Sequence, residues 1–347
     1  MVKIKQSKMF IGLSLNQNWI FSAKFGKFLG LDEGDPFEVI TLATKYVNRL
    51  IEGFDIETAD RMQEDIYPLG FIQYGQSVHF LLNDPEIIRL IKEQTHPGFP
   101  LRPVYPFIHH MNDTHPECED FFDTFSKYYK LTSEMHGNKI LVHFHTKETD
   151  ANIFQKTLDA LMNPKLLDLI REYKIEIVLE NNQHGSYFGY PKNIIKFFET
   201  LDKTLINKQY SDLVKFFNFC LDYGHMLINF KLKGIDPESG FKAFFDNFAD
   251  RISEFHIHTN DGIDDLHLMP IRFDKLELLD EKGIYKKRDI DRNTKIIWRT
   301  LKYWIKSLSN PKEQIHILFE FLNPFLENQL ILLGEKLGSC FVSSILT

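Results

Sequence analysis

Residues 175–182 read IEIVLENN: an apolar, β-branched run that ends abruptly in a carboxylate, Glu180, followed by two amides. A charged side chain closing so apolar a run suits a strand that leaves the core at its C-terminal end. The same form recurs along the chain. His143 closes ILVHFH (140–145), Asp222 and His225 close FCLDYGH (219–225), His258 lies in FHIHTNDG (255–262), and Glu320 closes IHILFEF (315–321). His79 sits in SVHF (77–80), and Asp265 and His267 lie in the polar segment DDLH (264–267). Parallel strands that end in carboxylate and imidazole at one rim of a barrel make a cup for divalent metal.

Working outward, short β-branched or aromatic runs alternate with helical periods, the form of a repeated βα unit. Strands are expected over 9–16, 53–59, 77–83, 139–145, 175–181, 216–222, 252–259 and 315–321. Eight in series predict an α/β fold, a (β/α)8 TIM barrel, with residues 1–347 as a single domain. Helix starts are signalled by Asp35-Pro36 with Glu38, by Tyr190-Pro191, by Asp291 and by Asn323-Pro324. Ile297, Leu301, Trp304, Ile305 and Leu308 fall at helical spacing and predict a face packed on the barrel. Two stretches, 95–119 and 269–292, exceed an ordinary βα connection and are expected to be long loops at the C-terminal rim.

Composition narrows the function classes. Three cysteines, Cys118, Cys220 and Cys340, form no CxxC pair, which indicates neither a disulfide framework nor a thiolate zinc site and implies a reduced, cytosolic protein. No secretory leader and no membrane span is expected. A net charge of −7 gives no global attraction for nucleic acid, although bound cations would supply a local positive field. GxSxG, P-loop, dinucleotide and HExxH signatures do not occur.

The ordered set Glu180-Asn181-Asn182, Leu221-Asp222-x-Gly224-His225, His258-x-x-Asp261, Asp265-x-His267 and Glu320 resembles the xylose isomerase-like TIM-barrel superfamily, which spans sugar isomerases and epimerases and the endonuclease IV type of nuclease. The resemblance covers about three quarters of the chain. It implies a four-ligand core on Glu180, Asp222, His258 and Glu320. The nuclease branch implies five more ligands, His79, His143, His225, Asp265 and His267, with Glu180 bridging a trinuclear zinc cluster. The segment ENNQHGSYFG resembles that branch's Gly-rich loop, whereas strand one, GLSLN, lacks its histidine motif and LMPIRFD stands where its Gly-Glu-Gly turn would be.

The donor types alone favour zinc, with manganese, cobalt or iron as alternatives, because a magnesium or calcium site would be mostly oxygen. His258 is expected to ligate and His256, two residues deeper on the same strand face, to support a ligand or touch substrate. Asn182 and Tyr187, after Glu180, are candidates to contact substrate. Two chemistries follow. A multinuclear site would hydrolyse a phosphoester, abasic DNA included, with Glu180 orienting the nucleophile. A mononuclear site would isomerise or epimerise a small sugar, with Glu180 and Glu320 moving a proton next to its carbonyl. A non-catalytic metal-binding barrel is the third reading.

Overall fold

The computed structural model describes residues 8–16, 66–73, 105–109, 121–134, 139–144, 151–183, 185–271, 287–310, 312–320 and 327–345. Eight strands form one parallel sheet: β1 (Lys8–Asn16), β2 (Ile66–Gln73), β3 (Tyr105–His109), β4 (Lys139–His143), β5 (Glu176–Glu180), β6 (Phe217–Asp222), β7 (Ile252–Ile257) and β8 (Gln314–Glu320). Their hydrogen-bonded order is β3-β2-β1-β8-β7-β6-β5-β4, that of a barrel opened between β3 and β4. Every strand pair among the described residues is parallel. All the strand C-termini therefore lie at one end of the sheet.

The described helices are α1 (Phe121–Glu134), α2 (Ala151–Leu161), α3 (Pro164–Tyr173), α4 (Pro191–Asn207), α5 (Tyr223–Leu232), α6 (Pro237–Phe248), α7 (Lys287–Ser307) and α8 (Glu327–Ile345). Pro191 opens α4, where its missing N–H costs nothing. Asp236 caps α6 by accepting from the Ser239 amide at 3.0 Å, and Asp222 caps α5 by accepting from the His225 amide at 2.7 Å. None of the helices among the described residues is long and apolar enough to cross a membrane.

Strand residues alternate between two unlike surroundings. Ile140, Val142, Ile177, Leu179, Phe219, Leu221, Phe255, Ile257, Ile317 and Phe319 join the helices in one apolar core. Phe219 meets Phe198 of α4 and Phe248 of α6, and Phe255 meets Trp304 of α7 with ring centroids 4.5 Å apart. The intervening positions, on the face away from the helices, include Lys139, Cys220, Asp222, Glu254, His256, His316 and Glu320, all buried. The sheet is thus apolar towards its helices and rich in ionisable groups on its other face.

Two expected strands lie elsewhere. Residues 53–59 and 77–83 fall outside the described residues, and the second and third places in the sheet are taken by Ile66–Gln73 and Tyr105–His109. Both real strands carry prolines, which disguise them in sequence. The structure tolerates them for a specific reason. Pro68 pairs with Ile11 of β1 but precedes the first β2–β3 pair, Leu69↔Tyr105, and Pro106 lies on β3, which is hydrogen-bonded to β2 alone. Each proline can therefore turn its donor-less nitrogen to a side with no partner strand. The stretch 95–119 is consequently not one long loop, because β3 runs through it, and α7 already begins at Lys287, within the expected loop 269–292 and four residues ahead of the start signalled at Asp291.

Trp304 is fully buried, stacks edge-on against Phe255 and donates from Nε1 to the Ala249 carbonyl at 3.1 Å. Trp304→Ala is expected to cost about 3–5 kcal/mol. Denaturant unfolding followed by circular dichroism checks this, and a loss below about 1 kcal/mol would mean that α7 is not seated on the sheet as described.

Candidate metal centre

The cluster begins with register. His143 is the pairing partner of Glu180 across β4–β5, Glu180 of Cys220 across β5–β6, and Asp222 of His256 across β6–β7. Side chains from four strands are therefore delivered to two adjacent levels, His143, Glu180 and Cys220 in one and Asp222 and His256 in the next, and their heads converge. His143 Nε2 lies 2.5 Å from Glu180 Oε2. His256 Nδ1 lies 3.1 Å from Glu180 Oε1 and 3.4 Å from Glu320 Oε1. His258 Nε2 lies 3.1 Å from Asp222 Oδ1.

A second tier comes from the α5 start and the loop after β7. His225 Nε2 is 3.4 Å from Asp265 Oδ2, and its Nδ1 is 3.7 Å from both Glu180 Oε1 and Asp222 Oδ1. His267 Nε2 is 2.9 Å from Asp265 Oδ2, and its Nδ1 is 3.7 Å from Glu320 Oε2. The His258 and His267 rings stack 4.0 Å apart. The loop is pinned by two backbone bonds, Thr259 N to Leu268 O at 2.8 Å and Leu268 N to Thr259 O at 2.9 Å.

Among the described residues, four sets of donor atoms lie close enough to hold a cation: His225, His258, Asp265 and His267; Glu180, Asp222 and His225; Asp222, His256 and Glu320; and Glu180, Cys220 and His256. The sets overlap. His225, Asp222, Glu180 and His256 each belong to two, which is the pattern of adjacent ions with shared ligands. Of the nine residues singled out in sequence, eight are brought together: His143, Glu180, Asp222, His225, His258, Asp265, His267 and Glu320. His79 lies outside the described residues, and the rim position that precedes His143 is occupied by His109, which ends β3 opposite Gln73. The signal for it was present in YPFIH, an apolar run closed by imidazole, but Pro106 masks the strand.

The supporting residues were less visible. Asn181 clamps β6 by donating to the Asp222 carbonyl at 3.1 Å and accepting from the Asp222 amide at 2.9 Å. Asn229 of α5 donates to the Asn182 and His225 carbonyls at 2.6 and 2.9 Å and accepts from the Gly185 amide at 2.8 Å, so it holds the loop after β5. Asn182, a candidate substrate contact, is buried with its side-chain amide donating to the Phe144 carbonyl. Tyr187 is half-buried and meets Phe154 and Phe188 edge-on. His256 is fully buried beneath the rim, its Nε2 facing Glu254 at 3.3 Å.

Charge dominates the site. Burial would raise the Glu180 carboxyl, but the His143 and His256 imidazoles hold it well below the usual range. Burial likewise opposes ionisation of Asp265, and His225 and His267 overcome it. The imidazoles answer in kind: burial would lower His225 and His267, yet Asp222 and Asp265 push the first well above its ordinary value and Asp265 raises the second. In the metal-free protein, protons on these imidazoles offset the carboxylates. Divalent cations would replace those protons.

No known protein-family pattern and no curated protein matches the sequence. Among solved structures the chain is similar to the probable 3-DHS dehydratase AsbF of Bacillus anthracis, at 10% identity over 94% of this chain and 98% of that one, with a TM-score of 0.51. It is similar to AsfvAP in the AsfvAP:AG structure, at 12% identity over 98% and 100% of the two chains, with a TM-score of 0.51. A D-tagatose 3-epimerase-like protein matches at 16% identity over 86% and 96%, with a TM-score of 0.48. At these identities the likeness is one of fold, carried by the two structures with a TM-score of 0.51.

Two predictions follow from the geometry. A Cβ on Gly224 would lie 1.9 Å from His258 Cε1, so Gly224→Ala must displace that imidazole. Zinc affinity, measured by competition with a chromophoric chelator, is expected to fall by roughly 10–100-fold while the circular dichroism spectrum is kept. In addition, because His225 and His267 are raised in the folded state, the stability they confer is full below an unfolded imidazole pKa of about 6.5 and is lost as pH rises through their folded values. The metal-free protein should therefore show a Tm that falls as pH rises above neutral, and zinc should flatten that slope. A metal-free Tm that rises over the same interval would contradict the charge assignment.

Proposed function

We propose that this protein is a divalent-metal-dependent hydrolase of phosphoesters with a multinuclear centre. One observation carries the reading: the outer set His225, His258, Asp265 and His267 shares His225 with the set Glu180, Asp222 and His225, so the site offers more ligands than one ion can use. The mixed imidazole and carboxylate donors suit zinc first, then manganese, cobalt or iron. His143, Glu180, Asp222, His225, His258, Asp265, His267 and Glu320 would hold the ions, whose bound state supplies Lewis acidity and an acidified water at neutral pH. Glu180, lying between His143 and His256, would orient the attacking water as its oxygen bonds to phosphorus and the ester P–O bond breaks, the leaving oxygen being stabilised by the cationic charge held in the site. His225, buried against Asp265, is a cationic partner for phosphate oxygens when an ion does not claim it. The substrate class includes DNA at an abasic site.

A second reading is sugar isomerisation or epimerisation at a single ion held by Glu180, Asp222, His258 and Glu320. The favouring observation is that Glu180 and Glu320 both face His256 Nδ1, at 3.1 and 3.4 Å, so two carboxylates flank one small space and could exchange a proton at a carbon next to a carbonyl. Of the solved structures named above, one is epimerase-like, one a probable dehydratase and none is named for phosphoester cleavage. The comparisons lean towards this second reading, and the ligand set towards the first.

Elemental analysis of chain purified without chelator is expected to give two or three transition-metal ions per chain by the ligand count above. The double variant Asp265→Ala, His267→Ala should lose one ion and cleavage of a duplex bearing an abasic site or of a generic phosphodiester. Glu180→Gln should lower turnover at least about 100-fold with the fold kept. Interconversion of ketoses such as fructose or tagatose, with one ion per chain and no phosphoester cleavage, would reject the first reading in favour of the second.

A further inference from the structure

Beneath the rim the sheet carries ionisable groups that neither chemistry uses. Cys220 is flanked in register by Glu180 on β5 and Glu254 on β7, and it is fully buried. Donor atoms of Cys220, His256 and Glu180 lie within 4.8 Å of one another. His256 Nδ1 also faces Glu320 Oε1 at 3.4 Å, and that carboxylate oxygen is buried with no hydrogen-bond partner. On the opposite side of the ring, Nε2 faces Glu254 Oε1 at 3.3 Å.

From this arrangement we propose a further metal site, reaching one layer below the rim, in which Cys220 Sγ, His256 Nδ1 and a carboxylate oxygen of Glu180 hold a thiophilic divalent ion of the zinc class. Three protein donors of mixed type leave a fourth position for water, an arrangement zinc accepts. Glu254 acts as a positioning residue: accepting from His256 Nε2–H, it fixes the tautomer that leaves Nδ1 free to ligate, the carboxylate–histidine–metal relation. Charge supports the assignment. Glu180, Glu254 and Glu320 are all buried, and the buried Lys139 ammonium is turned to the Ser253 and Gln314 carbonyls at 2.6 and 3.2 Å. A divalent cation offsets the remaining negative charge, which is costly to bury alone. Binding forms the S–metal bond and releases the thiol proton to solvent. The site does not depend on the phosphoester reading.

The test titrates the metal-free full chain with cobalt(II), following thiolate-to-cobalt charge transfer in the near ultraviolet together with bound metal per chain. The expected result is a band that saturates at one equivalent, persists in the Asp265→Ala, His267→Ala variant, and vanishes with the loss of one ion in Cys220→Ser. Should Cys220→Ser fail to fold, His256→Gln keeps the thiol and is expected to weaken the titration at least about tenfold; an unchanged titration there overturns the site. Cobalt bound without a thiolate band also overturns it, and so does a band that survives in Cys220→Ser, which would come from Cys118 or Cys340. A band without phosphoester cleavage leaves this site standing and removes only the earlier reading. No bound cobalt at all removes both.

Discussion

Four carboxylates, Glu180, Asp222, Asp265 and Glu320, meet within a few ångströms in a largely dry space, and the rest of the site is arranged around that repulsion. Like charges at such distances in a low-dielectric interior cannot be left uncompensated. Here the compensation comes from imidazoles interleaved with the carboxylates: His143 and His256 against Glu180, His258 against Asp222, and His225 and His267 against Asp265. The backbone must hold these heads where they would not settle alone. Asn181 clamps β6, Asn229 ties α5 to the loop after β5, and the bare Cα of Gly224 leaves room for the His258 ring.

The helices supply the anchorage. Phe198, Phe219, Phe244, Phe248, Phe255 and Trp304 interlock between the sheet and its outer layer. That apolar packing offsets the cost of seating ionisable groups on the other face of the same strands. With a period of two, a strand such as FNFCLD can serve both purposes at once: Phe217, Phe219 and Leu221 pack outward in the apolar core, while Asn218, Cys220 and Asp222 belong to the polar side.

Much of this was legible in the sequence because the informative strands end in a change of polarity. IEIVLENN, FCLDYGH and IHILFEF each fall at the expected strand, and the helix face of Ile297, Leu301, Trp304 and Ile305 is buried as its spacing implies. The N-terminal third was harder. Pro68, Gly70 and Pro106 break the β-branched pattern by which β2 and β3 would be recognised, so 53–59 and 77–83 carry the stronger strand signal in sequence. The deeper layer was missed for a different reason. Cys220, Glu254 and His316 lie in three separate segments, and only the β6–β7 and β7–β8 registers set them side by side.

The pinning of Thr259 to Leu268 gives the outer half of the cluster a mechanical independence that the inner half lacks. His143, Glu180 and Glu320 are borne on strands, and His256 on β7, so they move only if the sheet does. Asp265 and His267 ride on a short closed loop whose two ends are stitched together, with His267 at a positive φ of 44°. The outer donors are therefore placed by the loop's own backbone bonds rather than by sheet register, so the two halves of the cluster answer to different parts of the sequence.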